Sequence, residues 1–442
     1  MPMPMRKLLA TVLATPLALL PLNAAAEDLA ARIALLEQQI AELKALVTDE
    51  RAVGAATRAE VEAIRPTRKG TRLGYGGYIQ LDAITSRYSE GKPSNDLVDD
   101  FLVSSLIPVE PESGNGDPAT STKLHAQSSR FFFTTQTATE QGSIDTRIEL
   151  DFMLSPGGDE RISNSWNPRL RHAYINWDMG AGRSLLAGQS WSTFFNVGAL
   201  PDLLDFVGPV STIFVRQPQI RWTEGKLQFA LENPATRIDE LSATGVNRRL
   251  DNAETLPDMI ARYNGSQGDL NWTFAAMGRQ LGYESRFSSG EKLASDETWG
   301  YGLSIAGKWQ LDNGDLRFML NQGSALGRYM GLNTFDDGYI DSNGDIDTIA
   351  QWGAMLAYQH NWSSQWRSTF ALSASAADNP SISEYATAGQ LAKRYESAHA
   401  NLNWLPHPGL QLGGELIYAR KEVEDGRSGD LSRLQFAMKY AF

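Results

Sequence analysis

Arginine is the residue type whose placement in this chain points to chemistry. Arg130 falls in phase with Thr134 and Gln136, and Arg169 with Arg171, in stretches that alternate polar and apolar residues. Arg147 and Arg262 take the polar phase of similar stretches. A guanidinium stays charged and forks onto a carboxylate or a phosphate. A row of them can replace part of an anion's hydration while offering several weak sites, which conduction requires. Arg216 and Arg221 are five positions apart, so a regular strand sets them on opposite faces, and a bulge at Pro218 would bring both inward. The competing reading is structural: Asp145, Glu149 and Asp151 share the phase of Arg147 and are available ion-pair partners.

Other chemistries find little support. There is no cysteine among 442 residues, which excludes thiolate metal sites and thiol catalysis and suits passage through an oxidising compartment. His125, His172, His360, His399 and His407 are scattered and join no Ser or Asp signature, so no enzyme is expected. Gly188-Gln189-Ser190-Trp191-Ser192 lacks the closing glycine of a nucleophile elbow. The acids of 341–347 are spaced like a calcium loop, but the glycine is misplaced and Trp352 stands where a bidentate Glu would close it. Asn343-Gly344 makes a tight turn instead. No metal or cofactor is therefore expected. The formal net charge of −12 becomes −14 once Arg6 and Lys7 are removed, and such acidity argues against a nucleic-acid partner.

The elements that must position the arginines are strands. At the C-terminus Leu434, Phe436, Met438, Tyr440 and Phe442 point one way, while Gln435, Ala437, Lys439 and Ala441 point the other. That is the period of a strand with lipid on one side and water on the other. Arg6 and Lys7, the apolar run to Leu20 and Ala24-Ala25-Ala26 read as a secretory signal over 1–26. Leu29, Ile33, Leu36, Ile40, Leu43 and Val47 step by four and three, predicting an α-helical coiled coil over 27–65. From residue 66 onward, alternating stretches recur with connections that run short and long in turn, as in an outer-membrane barrel with periplasmic turns and outer loops. The expectation is an all-β, transmembrane antiparallel barrel of about sixteen strands, wide enough for an aqueous channel. Long connections are expected from the end of the first strand, near 88, to about Lys123, and at 155–167, 192–211, 234–255, 280–298, 324–346, 376–390 and 421–429. Tryptophans at strand ends, such as Trp299, Trp309 and Trp404, suit interfacial girdles.

The third long connection is unlike the rest. Phe194, Phe195, Leu200, Leu203, Leu204 and Phe206 surround Asp202 and Asp205, and so apolar a loop should not stand in water. Folding it into the barrel as a constriction buries it; packing at a subunit interface is the alternative.

The opening GYGGYIQLDA, the strand SRFFF, the run PRLRHAYINW, the entry LLAGQSWSTF, FVRQPQIRW, LENPAT, the coil and the final aromatic together resemble the DcaP-like trimeric outer-membrane porins. The resemblance covers essentially the whole mature chain and is strongest over 128–234. It implies a homotrimer in the bacterial outer membrane, in contact with its lipids, with a periplasmic coil and channels that pass small anionic solutes such as dicarboxylates. The coil's own pattern leans toward two strands, and the resemblance outweighs it. Whether the coil also grips peptidoglycan is left open. A phosphate-type or general porin, or a barrel-anchored structural tether, stand as the alternatives.

Overall fold

The computed structural model describes residues 70–114, 116–154, 163–242, 245–251 and 253–442. The expected signal segment and coiled coil lie outside these residues. Among the described residues twenty-one strands follow one another: β1 (Thr71–Tyr88), β2 (Ala119–His125), β3 (Arg130–Thr139), β4 (Gly142–Asp151), β5 (Arg169–Gly180), β6 (Arg183–Trp191), β7 (Arg216–Glu224), β8 (Leu227–Glu232), β9 (Thr236–Ser242), β10 (Gly245–Asp251), β11 (Asp258–Gln267), β12 (Leu270–Arg286), β13 (Lys292–Leu311), β14 (Gly314–Ser324), β15 (Gly338–Ile340), β16 (Ile346–Thr348), β17 (Ala350–Asn361), β18 (Trp366–Asp378), β19 (Ala392–His407), β20 (Leu410–Val423) and β21 (Ser428–Ala441).

Seventeen of them form one sheet that closes when β21 pairs with β1. β2 and β3 both pair with β1 and so form a single interrupted stave, leaving the sixteen staves expected. Closure satisfies every edge, which a strand in lipid requires. Phe442 contributes its backbone to this seam, exchanging hydrogen bonds with Gly77. The period-two pattern holds as read: Leu434, Phe436, Met438 and Tyr440 are exposed outside, while Gln435 and Ala437 are buried inside.

The connections at one rim are tight turns at the expected places. At the other rim two expectations fail in length. The 280–298 region is mostly strand, because β12 and β13 run out to a turn at 287–291, and β20 and β21 likewise extend to meet at 424–427. Polar residues on both faces conceal such projecting hairpins from a search for apolar alternation. Two loop segments also build a small separate sheet, in which β15 pairs with β9 in parallel and each belongs to its own hairpin.

The interior of the barrel is divided. From β8 to β20 many inward residues are small or flexible and apolar, among them Ala230, Ile260, Met277, Met319, Ala357 and Ile417. Three loops fold in to cover them. Val98, Phe101 and Ile107 come from the first, Phe194, Phe195 and Ile213 from the third, and Leu326, Tyr329 and Met330 from the sixth, and all join one core with the wall. Each such side chain contributes roughly 1.5–3 kcal/mol on burial. Gly353 shows how closely they seat, since a Cβ there would come within 2.6 Å of Met330 Sδ and 2.8 Å of Ser211 Cβ. The wall from β1 through β5 carries the charged rows instead.

Candidate functional site

The charged rows arise from register. Arg130 on β3 pairs with Asp151 on β4, and Asp151 with Arg169 on β5, all on the inward phase. One row further in, Phe132 pairs with Glu149, and Glu149 with His172. Thr134 pairs with Arg147 in the row beyond. In the first row cation and carboxylate therefore alternate across strands, as favourable cross-strand pairs do. Gly76 makes space for this wall: a Cβ there would lie 2.6 Å from the Phe132 ring.

A bulge then adds a cation. The β4–β5 register shifts between Glu149 and Leu150, which places both Arg171 and His172 inside while Leu170 and Ile175 remain outside. Arg171, at 1% exposure, joins the two carboxylates, donating from Nε to Glu149 at 2.8 Å and from Nη1 to Asp151 at 2.7 Å. Arg169 forks onto Asp151 at 2.9 and 2.8 Å, and Arg147 meets Glu149 at 2.6 Å. Arg130 Nε lies 3.5 Å from Glu149. The available-partner reading of the carboxylates is thus correct for Glu149 and Asp151. Asp145 instead accepts from Ser143.

The expected bulge at Pro218 is absent. The pairing of β6 with β7 runs unbroken from Trp191–Arg216 to Arg183–Glu224. Arg221 shares the inward phase of Gln217 and Gln219, while Arg216 shares that of exposed Pro218 and Ile220. Arg216 still reaches the cluster because it is the first residue of its strand. Its guanidinium lies 4.6 Å from the centre of the Trp191 ring, with Arg171 at 5.8 Å from the same ring. Its Nη1 is buried with no hydrogen-bond partner among the described residues.

The inserted third loop completes the site. Phe206 faces the wall with Arg171, Arg169 and Arg130 at 5.4, 5.9 and 6.0 Å from its ring, positions that favour cation–π attraction. Phe194 and Phe195, expected in a constriction, are buried among the covered wall residues and anchor the loop there. Asp202 pairs with Arg367 of β18 at 2.7 Å. Asp205 accepts from Leu102 N–H at 2.7 Å and so ties the third loop to the first.

Wall side chains that the sequence reading missed hold the loop in place. Leu204 N–H donates to Glu415 at 2.6 Å, Thr193 N–H to Glu232 at 2.7 Å, and Ser211 N–H to the Ser373 hydroxyl at 3.1 Å. A carboxylate on the inward phase without an arginine beside it, as in GGELIY, is the signal that could have found Glu415. Arg262 lies apart from the rows, on β11, and donates to the Phe195 carbonyl at 2.8 Å.

Five guanidiniums (Arg130, Arg147, Arg169, Arg171, Arg216) thus face two carboxylates (Glu149, Asp151), an excess of three positive charges beside the loop tip. Two carboxylates cannot satisfy them all, so the cluster can bind an anion weakly and in more than one pose. No group of His, Asp or Glu among the described residues is arranged to hold a metal ion. In the 341–347 loop, the Asp341 carboxylate is held below the usual range, chiefly by the Asp345 N–H that it accepts.

The family profile described as DcaP outer membrane protein matches residues 104–442. The structure is similar to the outer membrane channel DcaP of Acinetobacter baumannii, with a TM-score of 0.66 at 18% identity over 86% of this chain and 99% of that one. It is also similar to an anion-selective porin from Comamonas acidovorans (TM-score 0.53, 10% identity, 84% of this chain and 100% of that one). A trimer form of OmpT from Vibrio cholerae matches with a TM-score of 0.51 and 8% identity over 85% of this chain and 100% of that one. No curated protein sequence matches it.

Proposed function

The chain belongs to the DcaP outer membrane protein family, a family of the bacterial outer membrane, and from that premise we propose that it is a passive channel for small anionic solutes, dicarboxylates first among them. The observation that carries the reading is the excess of three positive charges on the open wall opposite Phe206. A solute passing between loop and wall exchanges water for guanidinium edges, and the carboxylates already present keep each contact weak enough to release it. Planar guanidinium edges match the planar carboxylate, and a dicarboxylate can use two rows at once.

A homotrimer is part of the proposal. β8 has six residues, whereas a lone strand needs about 9–11 to cross a bilayer, and its neighbour β7, with nine, only just reaches that length. Their outer face carries Ile220, Phe229 and Leu231, each about half exposed. A neighbouring copy spares the bilayer the thinning that so short a wall would otherwise impose. The segment 27–65, as a periplasmic coil, would tie the copies together.

Reversal potentials of the purified protein in a planar bilayer under a salt gradient test the reading. The unmodified channel should favour anions, and replacing Arg130, Arg171 and Arg216 together by Ala should abolish the bias. Cation selectivity of the unmodified channel overturns it. Absence of any current would favour a tether, and stronger block by phosphate than by succinate would favour a phosphate-type porin.

A further inference from the structure

We infer that the channel holds a second anion station, for a small carboxylate, on the inner wall of β11–β13 beneath the turn at Val197–Ala199. A cavity of about 360 Å3 opens there, lined by Asn196, Gly198, Arg262, Asn264, Asn271 and Lys308. Its nearest strand, β11, lies four staves around the barrel from β5, the near edge of the charged rows, and its lining includes none of their residues. Asn196 fixes its roof: the side chain accepts from Gly198 N–H at 3.0 Å and donates to Thr273 Oγ1 at 3.1 Å and to the Ala306 carbonyl at 3.2 Å.

The floor is positive. Arg262 donates from Nη1 to the Phe195 carbonyl and, at 2.9 Å, from Nε to Asn264 Oδ1, and no carboxylate among the described residues pairs with it. Lys308 meets Asp315 at 3.1 Å, and the same carboxylate takes Arg317 at 2.6 Å. Lys308 and Arg317 are cross-strand partners on the inward phase. Lys308 and Arg317 thus share one carboxylate while Arg262 has none, an excess of two positive charges beside an open cavity that Asn196, Asn264 and Asn271 also line. A carboxylate seated there would take the free edge of Arg262 on one side and the Lys308 ammonium or Asn271 amide on the other. Such a group is the chemical complement of what the cavity offers.

The station lies toward the tight-turn rim: Lys308 and Arg317 are each three positions from the Leu311–Gly314 turn pair. A solute would therefore meet it on the far side of the inserted loop from the outer mouth. Two stations separated by the loop make entry and release separate steps, so that neither has to bind tightly. The solute class rests on the channel reading proposed above, whereas the cavity and its charges do not.

Succinate is the probe, added to one side at a time of single channels of known orientation. From the tight-turn side, the double substitution Arg262→Gln with Lys308→Gln should weaken block about tenfold, the equivalent of about 1.4 kcal/mol. Block from the loop side should stay within about twofold of the unmodified channel. Arg262→Lys keeps the charge and should retain most of the tight-turn block. Unchanged tight-turn block in a double variant that migrates as a folded barrel overturns the station. Equal losses in Arg262→Lys and Arg262→Gln also overturn it, because they would reduce Arg262 to a support for Phe195. Cation selectivity of the unmodified channel would remove the channel reading yet leave this side-specific difference measurable.

Discussion

The two sides of the barrel interior are built from the same alternating strands and solve opposite problems. On the covered side, inward Ala, Met and Ile residues form the floor of a core, and three loops supply its roof. On the open side, inward Arg, Glu and Asp residues remain beside the lumen, and one aromatic, Phe206, approaches them. Apolar inward residues would leave a wide pore unfilled without the loops, and inserted loops reduce a sixteen-stave cylinder to a narrower passage. On the proposed function, the contrast implies a division of labour, with stability concentrated on the covered side and selectivity on the open one.

The largest test of that division removes the charge network under the covered side. Arg279, fully buried, donates to Asp337 and to the Ala325 carbonyl at 2.8 Å each and to the Ala235 carbonyl at 2.6 Å. Asp258 lies 3.5 Å away and accepts from Tyr329 OH at 2.6 Å. Asp337→Ala leaves a buried guanidinium with two carbonyls and one distant carboxylate, at a cost of about 3–5 kcal/mol. The temperature at which the folded barrel loses its compact gel mobility should fall, and single-channel conductance should rise as the sixth loop loosens. Anion preference should change little. A large loss of preference with unchanged stability would reverse the assignment of the two sides.

A smaller effect is expected at the meeting point. Phe206 touches Phe101 at 5.7 Å and Phe214 at 6.4 Å between ring centres while facing three arginines. Phe206→Ala removes two aromatic contacts, three cation–π contacts and the packing of a half-buried ring, and should cost about 2–3 kcal/mol. Conductance should increase more than stability falls. If conductance is unchanged, Phe206 does not border the passage.

The open side was the more legible in sequence. Ile144, Ile148 and Leu150 against Asp145, Arg147, Glu149 and Asp151 is a clean alternation, and register alone aligns it with Arg130 and Arg169. The covered side hides its phase, because inward Ala and outward Ala look alike. β19 is the plainest case: Tyr395, Ser397, His399 and Asn401 face in, while Ala398 and Ala400 face out, so polar and apolar residues do not separate by hydropathy. The third loop declared itself by its phenylalanines. The first carries a similar run, Phe101-Leu102-Val103, inside an otherwise acidic segment, and its insertion was not expected. The bulge at Arg171 was beyond reach, since only the pairing of β4 with β5 exposes it.

The smallest expected effect concerns the loop hairpin of β9 and β10, which pairs with the sixth loop through β15. Asp239 is almost fully buried there, and its carboxyl is pushed up to about 8, first by burial and then by the neighbouring Asp336 carboxylate, with Arg248 and Arg237 opposing. A raised folded value means that the folded hairpin holds this proton more tightly than the unfolded chain does. Its stabilising contribution is therefore complete below about 4, the ordinary carboxyl range, and declines as pH rises toward 8. Protection from hydrogen exchange, each rate being divided by the intrinsic rate at its pH, should fall across that interval for residues 236–242 and 245–251. Asp239→Asn, which keeps the shape and cannot ionise, should flatten the response, and exchange in the β3–β5 rows should not follow it. A pH response that survives Asp239→Asn, or one shared equally by β3–β5, would show that the cover and the open wall do not move independently.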